Sequence, residues 1–572
     1  MKREHKITVG YKEIFQKGTI TLLITFCAGA LFGRENMMIA FVLALGSSNL
    51  AKQNLKVKTF YKACRLIFID SLIVCIAYIA SLNVWFAIPI NFITIFLIMY
   101  LNVSLHNQTA YKTFMMLYVF CQYGAIPLVE LPSRIAMVIF SVTIMVSTIF
   151  LEQNNIKLLL SPQIGTAFGL IGKQLILMKQ GGWDQRISEE VSSQMNDLAT
   201  VIYGSSFKRY FTTFIGKVNF KFYLTISYLN FVLIEIGTQG MNQLFTNKEI
   251  EDSVCLFEGI QSYFRRYIVR AELINALSIY LSKHPKQEGI KAELWESIFS
   301  LSECFQELDE IPHHKKHQVY EEWEYSHLKH IRRTVGQYFR PQRMRFNFAM
   351  RMGTVLAISL LLAEILGFYK IIWAVIPIMS ITQPYVEDTH KRKIDRLESN
   401  IIAAVVITIV LNVVKLEWFI IGILIVSFYL YYAYKDYYHI SLFLTIISMC
   451  ISTVNAGINT LFFYRIIYVV IGVIVVGITS KLAPYRIEDG IKELIKEIQY
   501  VNQVLERENE LIEQGEGDLN VIRENVIYSA VLCQKLYVRN KQYQDEKVIE
   551  LIRGHIESTI RLSYKVLRNR AR

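Results

Sequence analysis

Residues 372 to 400 read IWAVIPIMSITQPYVEDTHKRKIDRLESN. An apolar run of about a dozen residues is halted by Pro384 and followed by a charged turn carrying His390, Lys391, Arg392, Lys393 and Arg396. A straight helix needs about 20 residues to cross ~30 Å of hydrocarbon, so this run is too short to span. Pro377 inside it and Pro384 at its end remove backbone donors that a membrane helix otherwise satisfies internally. The stretch predicts a broken half-helix. Pro377, Ser380, Gln383, Pro384, Asp388, Arg392 and Arg396 are its candidate substrate-contacting residues, because interrupted backbone in a membrane is tolerated where it lines a cavity.

The design occurs a second time. Residues 37 to 54 read MMIAFVLALGSSNLAKQN, a short apolar run stopped by Gly46, Ser47, Ser48 and Asn49 and followed by Lys52, Lys56, Lys58 and Lys62. Aligning Lys56 with Lys391 brings Lys58 onto Lys393 and sets Gly18-Thr19 opposite Gly353-Thr354 within one residue. Short, interrupted apolar segments at matching positions of two halves point to a transporter binding site. Ser47, Asn49 and Lys58 therefore join the candidates. The plainer alternative is a pair of short helices with ordinary basic cytoplasmic loops, since the positive-inside rule alone accounts for lysines there.

The whole chain fits a membrane protein with sizeable aqueous parts: 572 residues, 53% apolar, with a mean hydropathy of +0.32. The net charge of +13 is spread beside apolar segments and forms no separate basic domain, so it reads as topology and not as a nucleic-acid footprint. Eight cysteines without C-x-x-C spacing suggest neither a disulfide framework nor a zinc site.

Apolar segments fall at about 18 to 33, 37 to 50, 64 to 82, 85 to 104, 113 to 131 and 134 to 151, and again at about 348 to 368, 371 to 383, 397 to 414, 416 to 434, 437 to 455 and 461 to 482. Basic residues crowd the turns that lie inside if the N-terminus is inside, while the outer turns hold only Arg34, Arg134, Lys370, Lys415 and Arg465. Both termini are expected in the cytoplasm of a bacterial cell, with the chain in the cytoplasmic membrane. The expected fold is an all-α polytopic membrane protein of two six-helix transmembrane repeats in parallel orientation, each followed by a cytoplasmic helical domain. The expected boundaries are 1–151, 152–346, 347–483 and 484–572.

Within the central domain, Ile250, Val254, Phe257, Ile260, Phe264, Tyr267, Ala271 and Ile274 form a stripe at helical spacing. Phe222 to Ile234 is apolar but bounded by Lys221 and Glu235, too short for a span and suited to a buried core helix. The basic N-terminus before the apolar run at Thr19 raises a cleaved signal peptide. Its removal would take the first helix from one repeat copy, so an uncleaved segment is expected.

The chain has no G-x-x-x-x-G-K-[S/T], H-E-x-x-H or G-x-S-x-G motif, so neither ATP-driven pumping nor an enzyme activity is supported, and no cofactor is expected. His313, His317, His327 and His330 sit among Lys and Glu with no further ligand, which reads as a solvated helix and not a metal site. Gly29 and Gly33 form a G-x-x-x-G read as packing. Asp70 lies about two turns into the third span, where a charge must face protein or water. It is either a proton-coupling carboxylate or a structural partner of Lys62 or Arg65.

The Gln383-Pro384 turn, the acidic Glu387-Asp388 and the R-x-x-x-R of Arg392 and Arg396 resemble the fusaric acid resistance and aromatic acid exporter family. The layout resembles that family over essentially the whole chain. Where the family has G-T-x-x-G after the arginines, this chain has Ser399-Asn400 and Ala403, and the first copy lacks the proline. The resemblance implies proton-driven export of weak organic or aromatic acids, hence a small organic anion as substrate and the lipid bilayer as surroundings. A homodimer is compatible with it. Gram-negative relatives use periplasmic adaptors; the Lys, Ile, Asn and Tyr bias here suggests an AT-rich, Gram-positive source in which such a partner would be absent. The competing readings are an anion channel and a membrane-anchored scaffold or regulator.

Overall fold

A computed structural model describes residues 10–46, 59–103, 109–154, 162–205, 214–238, 245–264, 267–309, 343–367, 371–414, 417–452, 457–482, 484–515, 517, 519–540 and 545–569. Among these residues the secondary structure is helical throughout, without strands. The helices form two compact units.

The first unit gathers residues 10–46, 59–153 and 343–490. Its first part holds α1 (Tyr11–Phe32), α2 (Met37–Leu45), α3 (Thr59–Ser81), α4 (Val84–Asn102), α5 (Lys112–Tyr123) and α6 (Leu131–Asn154). The second unit supplies α7 (Pro162–Lys179), α8 (Gln185–Ser205), α9 (Phe214–Thr238), α10 (Asn247–Phe264), α11 (Arg270–Lys283) and α12 (Ile290–Asp309). The chain then returns to the first unit with α13 (Arg343–Leu366), α14 (Ile372–Ile381), α15 (Val386–Val413), α16 (Glu417–Ala433), α17 (Tyr437–Ser452) and α18 (Ile458–Leu482). It ends with α19 (Ile487–Glu513), α20 (Leu519–Asn540) and α21 (Glu546–Asn569).

Six helices of the first unit, α1, α3, α4, α6, α13 and α18, are long and apolar enough to cross a membrane, while α14, α16 and α17 are apolar but shorter. Phe68, Leu72, Trp85, Phe86, Trp418 and Phe463 are exposed on its outside, as suits side chains bathed in lipid. The helices pack crosswise: α1 lies against α16, and α13 lies along α4. Glycine permits both contacts. A Cβ at Gly18 would run into the ring of Tyr429 on α16, and one at Gly353 would come within 3.3 Å of the ring of Phe92 on α4. Packing of α3 on α5 is echoed by α15 on α17. Gly33, expected to be a helix contact, instead ends α1 with a φ of 96° and turns the chain into α2.

Two expectations change. The charged residues after Pro384 are not a loose turn, because α15 begins at Val386 and runs unbroken through Arg392 and Arg396 into the apolar segment. Pro384 blocks helix on its N-terminal side, Glu387 and Asp388 favour the positive end of a helix in the first turn, and no Gly or Pro follows to stop it. The stripe from Ile250 to Ile274 is divided between α10 and α11, with Val269 extended ahead of α11.

In the second unit, α9 packs on α8, α12 and α21, and α20 packs on α8 and α21. The apolar helix over Phe222 to Ile234 is longer than its bounding charges implied, 25 residues in all, and passes the length and hydropathy criteria of a span. However, 72% of its apolar window is buried inside the protein, against 28% to 44% for the six helices of the first unit. Lys221 pairs with Glu307, and Glu235 with Arg561 at 2.8 Å, so its limiting charges are met by neighbouring helices of a bundle. Tyr228 stacks on Tyr564 with ring centres 4.1 Å apart, and the Tyr564 hydroxyl lies 2.8 Å from that of Ser300. His313, His317, His327 and His330 lie outside the described residues.

Candidate functional site

The interrupted segment builds the site. α14 is ten residues long, with Pro377 inside it, and ends as Thr382 turns extended and donates to the Ile378 carbonyl at 2.6 Å. The turn to α15 is closed by protein groups. Thr389 Oγ1 accepts from the Gln383 backbone N–H at 3.0 Å and donates to the Tyr385 carbonyl at 2.9 Å, while Arg351 Nη2 donates to the carbonyl of Gln383. The Gln383 side chain folds back on the Thr382 carbonyl at 2.6 Å, so Gln383 and Pro384 are buried and shape the break. Asp388 is half-buried in the first turn of α15, and its neighbour Glu387 accepts from the Ile487 N–H at the start of α19 at 3.2 Å. Pro377 faces α18, where a Cβ on Gly472 would stand 2.9 Å from the proline ring.

Ser380, Arg392 and Tyr437 meet at the end of α14. Arg392 Nη1 donates to the Ser380 carbonyl at 3.2 Å, and its guanidinium sits 4.7 Å from the centre of the Tyr437 ring.

One turn further along α15 lies a buried polar cluster. Arg396, Ser399 and Asn400 of α15, Ser441 and Thr445 of α17 and Arg465 of α18 are each no more than 1% exposed. Arg396 Nη1 donates to Ser441 Oγ at 3.0 Å, and Ser399 donates to the same oxygen at 2.7 Å. Arg465 Nε donates to Asn400 Oδ1 at 3.0 Å and its Nη2 to Thr445 Oγ1 at 3.1 Å, with the guanidinium 5.1 Å from the Trp373 ring centre. Among the described residues neither arginine has a carboxylate partner, and Nε and Nη2 of Arg396 and Nη1 of Arg465 have no acceptor. Burying two cations without counter-charge costs several kcal/mol each, and an anion placed beside them would offset that cost.

The structure therefore joins Pro377, Ser380, Gln383, Pro384, Arg392 and Arg396 in one region. Asp70 stands apart on α3, 1% exposed, without a hydrogen bond or ion pair among the described residues; it is not a partner of Lys62 or Arg65. Ser47, Asn49 and Lys58 lie outside the described residues.

Arg465 and Arg134, assigned above to outer turns, are buried inside helices. Arg134 Nε donates to Asn36 Oδ1 at 2.9 Å and its Nη1 to the Gly124 carbonyl at 2.7 Å, pinning α2, α5 and α6 together. The signal for Arg465 was its position eight residues into a 25-residue apolar helix, where an arginine is too costly to be incidental. Asn400, Ser441 and Thr445 carry no such signal, because single polar residues recur throughout apolar helices.

Fold and site define a multi-pass helical membrane protein with a basic, interrupted-helix centre. Residues 356–478, about a fifth of the chain, match the family described as fusaric acid resistance protein-like, a family of membrane transporters, and this supports the resemblance carried by the Gln383-Pro384 turn. The matched segment contains the whole Arg396–Arg465 cluster. No curated protein and no solved structure matches the chain.

Proposed function

We propose that this protein is a secondary exporter of weak organic or aromatic acids or similar anionic amphiphiles, driven by the proton gradient across a bacterial cytoplasmic membrane. The observation that carries the reading is the buried pair Arg396 and Arg465, unbonded on several N–H groups and one helical turn from the broken end of α14. A fixed, desolvated cation favours an anion over its neutral acid, and an interrupted helix beside it supplies the backbone irregularity transporters use at their binding sites. Asp70, buried and without a hydrogen bond or ion pair among the described residues, would carry the coupling proton.

We infer further that the membrane unit consists of two copies of one six-helix repeat in parallel orientation. The support is the crosswise packing, α1 on α16 and α13 on α4, each through a glycine against an aromatic ring. The second unit and both termini then lie in the cytoplasm, as the lysine and arginine bias requires.

The test is benzoate uptake into inverted vesicles holding the full-length protein. Export predicts accumulation above the outside concentration that collapses with an uncoupler and is lost in Arg396→Gln at normal abundance. Flux that only equilibrates benzoate would make the protein a channel, and flux unaltered by Arg396→Gln would detach the cluster from transport.

A further inference from the structure

The free donors of the two buried arginines are not alike. Arg396 uses only Nη1, on Ser441, and leaves Nε and Nη2 unbonded; these two N–H groups point the same way and form the planar edge that receives both oxygens of one carboxylate. Arg465 is the reverse. Its Nε and Nη2 are held by Asn400 and Thr445, and only Nη1 is left. Asn400 links the two, donating to Ser441 beside Arg396 and accepting from Arg465. The site thus offers a complete fork at one point and a single charged donor at another, and its two positive charges are balanced by nothing else among the described residues.

We propose that the Arg396–Arg465 site selects small dicarboxylates, with one carboxylate seated bidentately on the Nε and Nη2 edge of Arg396 and the other on Arg465 Nη1, so that Arg465 determines how many negative charges the ligand carries. This deepens the export reading and rests on it for the substrate's role, but binding can be measured without transport. A monocarboxylate fills the fork and leaves Arg465 buried and uncompensated, which penalises it relative to a dianion of the same length. Ser399, Ser441 and Thr445 position the two guanidiniums.

The experiment is calorimetric titration of the purified full-length protein with succinate and with butyrate, which share a four-carbon chain and differ by one carboxylate. Succinate is expected to bind at least tenfold tighter. Arg465→Gln should weaken succinate at least tenfold and butyrate far less, and Arg396→Gln should remove both. Equal affinity of the wild type for the two acids, or a succinate preference that survives Arg465→Gln, overturns the proposal. So does binding of chloride or sulfate alone, which would make the cluster a structural counter-ion site. If Arg465→Gln does not fold, the wild-type ratio decides, with Arg465→Lys as the second variant; keeping the charge, it should retain part of the preference. Succinate binding together with inverted vesicles that fail to accumulate succinate would refute export and leave the site standing.

Discussion

Tyr437 donates its phenolic hydrogen to the hydroxyl of Ser380 at 3.0 Å, and through that bond α17 holds the broken end of α14. The same ring lies against the Arg392 guanidinium, so one tyrosine braces both sides of the interruption.

Tyr437→Phe keeps the ring and loses only the hydroxyl bond. The expected cost is about 1 kcal/mol, the usual worth of a single hydrogen bond, seen as a small drop in unfolding temperature of the purified protein. Tyr437→Ala also removes the cation–π contact and should cost more. Equal damage from the two variants would show that the Ser380 bond carries everything.

Arg396→Lys should raise the half-saturating concentration for efflux roughly ten- to a hundredfold at normal abundance, since a lysine cannot reproduce a planar fork whose loss costs about 1.5 to 3 kcal/mol. Arg392→Lys should be milder, because an ammonium still sits over the Tyr437 ring. Concentration curves in inverted vesicles decide it, and equal half-saturation for wild type and both variants would leave these arginines as topology signals.

Asp70→Asn should leave stability equal or higher while abolishing the response of efflux to the proton gradient. A buried carboxylate without a partner is costly to hold, and a neutral amide is cheaper. Marked destabilisation would instead mean that Asp70 has a structural partner.

Gly472→Ala should destabilise the membrane unit by about 1 to 3 kcal/mol, the cost of overpacking. Its Cβ would fall 2.9 Å from Pro377 and 3.0 Å from the Ala374 carbonyl, and both are fixed in a helix that cannot yield as a flexible side chain would. Lower folded yield and unfolding temperature are the readout; wild-type values for both would show that α14 and α18 can separate without cost.

The second unit should weaken in mild acid. His555 is buried beside Ser529, and burial lowers its pKa from 6.5 to about 4. The unfolded chain therefore binds the proton first, so this stability is complete above about pH 6.5 and is lost as pH falls toward 4, by up to about 3 kcal/mol. Unfolding temperatures of the wild type and His555→Gln measured between pH 7.5 and 4.5 should converge as the pH drops, whereas parallel curves would contradict a buried neutral imidazole.

Membrane character, the short broken segment at Ile372 to Ile381 and the basic residues behind it were legible in the sequence, because hydrocarbon thickness and proline chemistry act on contiguous residues. The family resemblance rested on the same local pattern, Gln383-Pro384 with Arg392 and Arg396. Local pattern misjudged what depended on neighbours. Pro384 and the charges behind it made the stretch to Arg396 read as a turn, although acidic residues in the first turn and the absence of breakers make it helix; charge alone made Arg465 and Arg134 topology markers, although each is buried inside a helix. Phe222 to Ile234 read as a core helix because its bounding charges made it short; α9 is in fact 25 residues and satisfies the criteria of a span, and its burial among α8, α12 and α21, not its length, supports the core reading. The buried arginine cluster is the clearest case. Ser441, Thr445 and Arg465 lie 41, 45 and 65 residues from Asn400, and no spacing rule links the three helices they and Asn400 stand on. Tertiary packing alone decided that Arg396 and Arg465 share one desolvated place with no acid among the described residues to neutralise them, because burial and charge compensation are properties of what surrounds a residue and not of what precedes it in the chain.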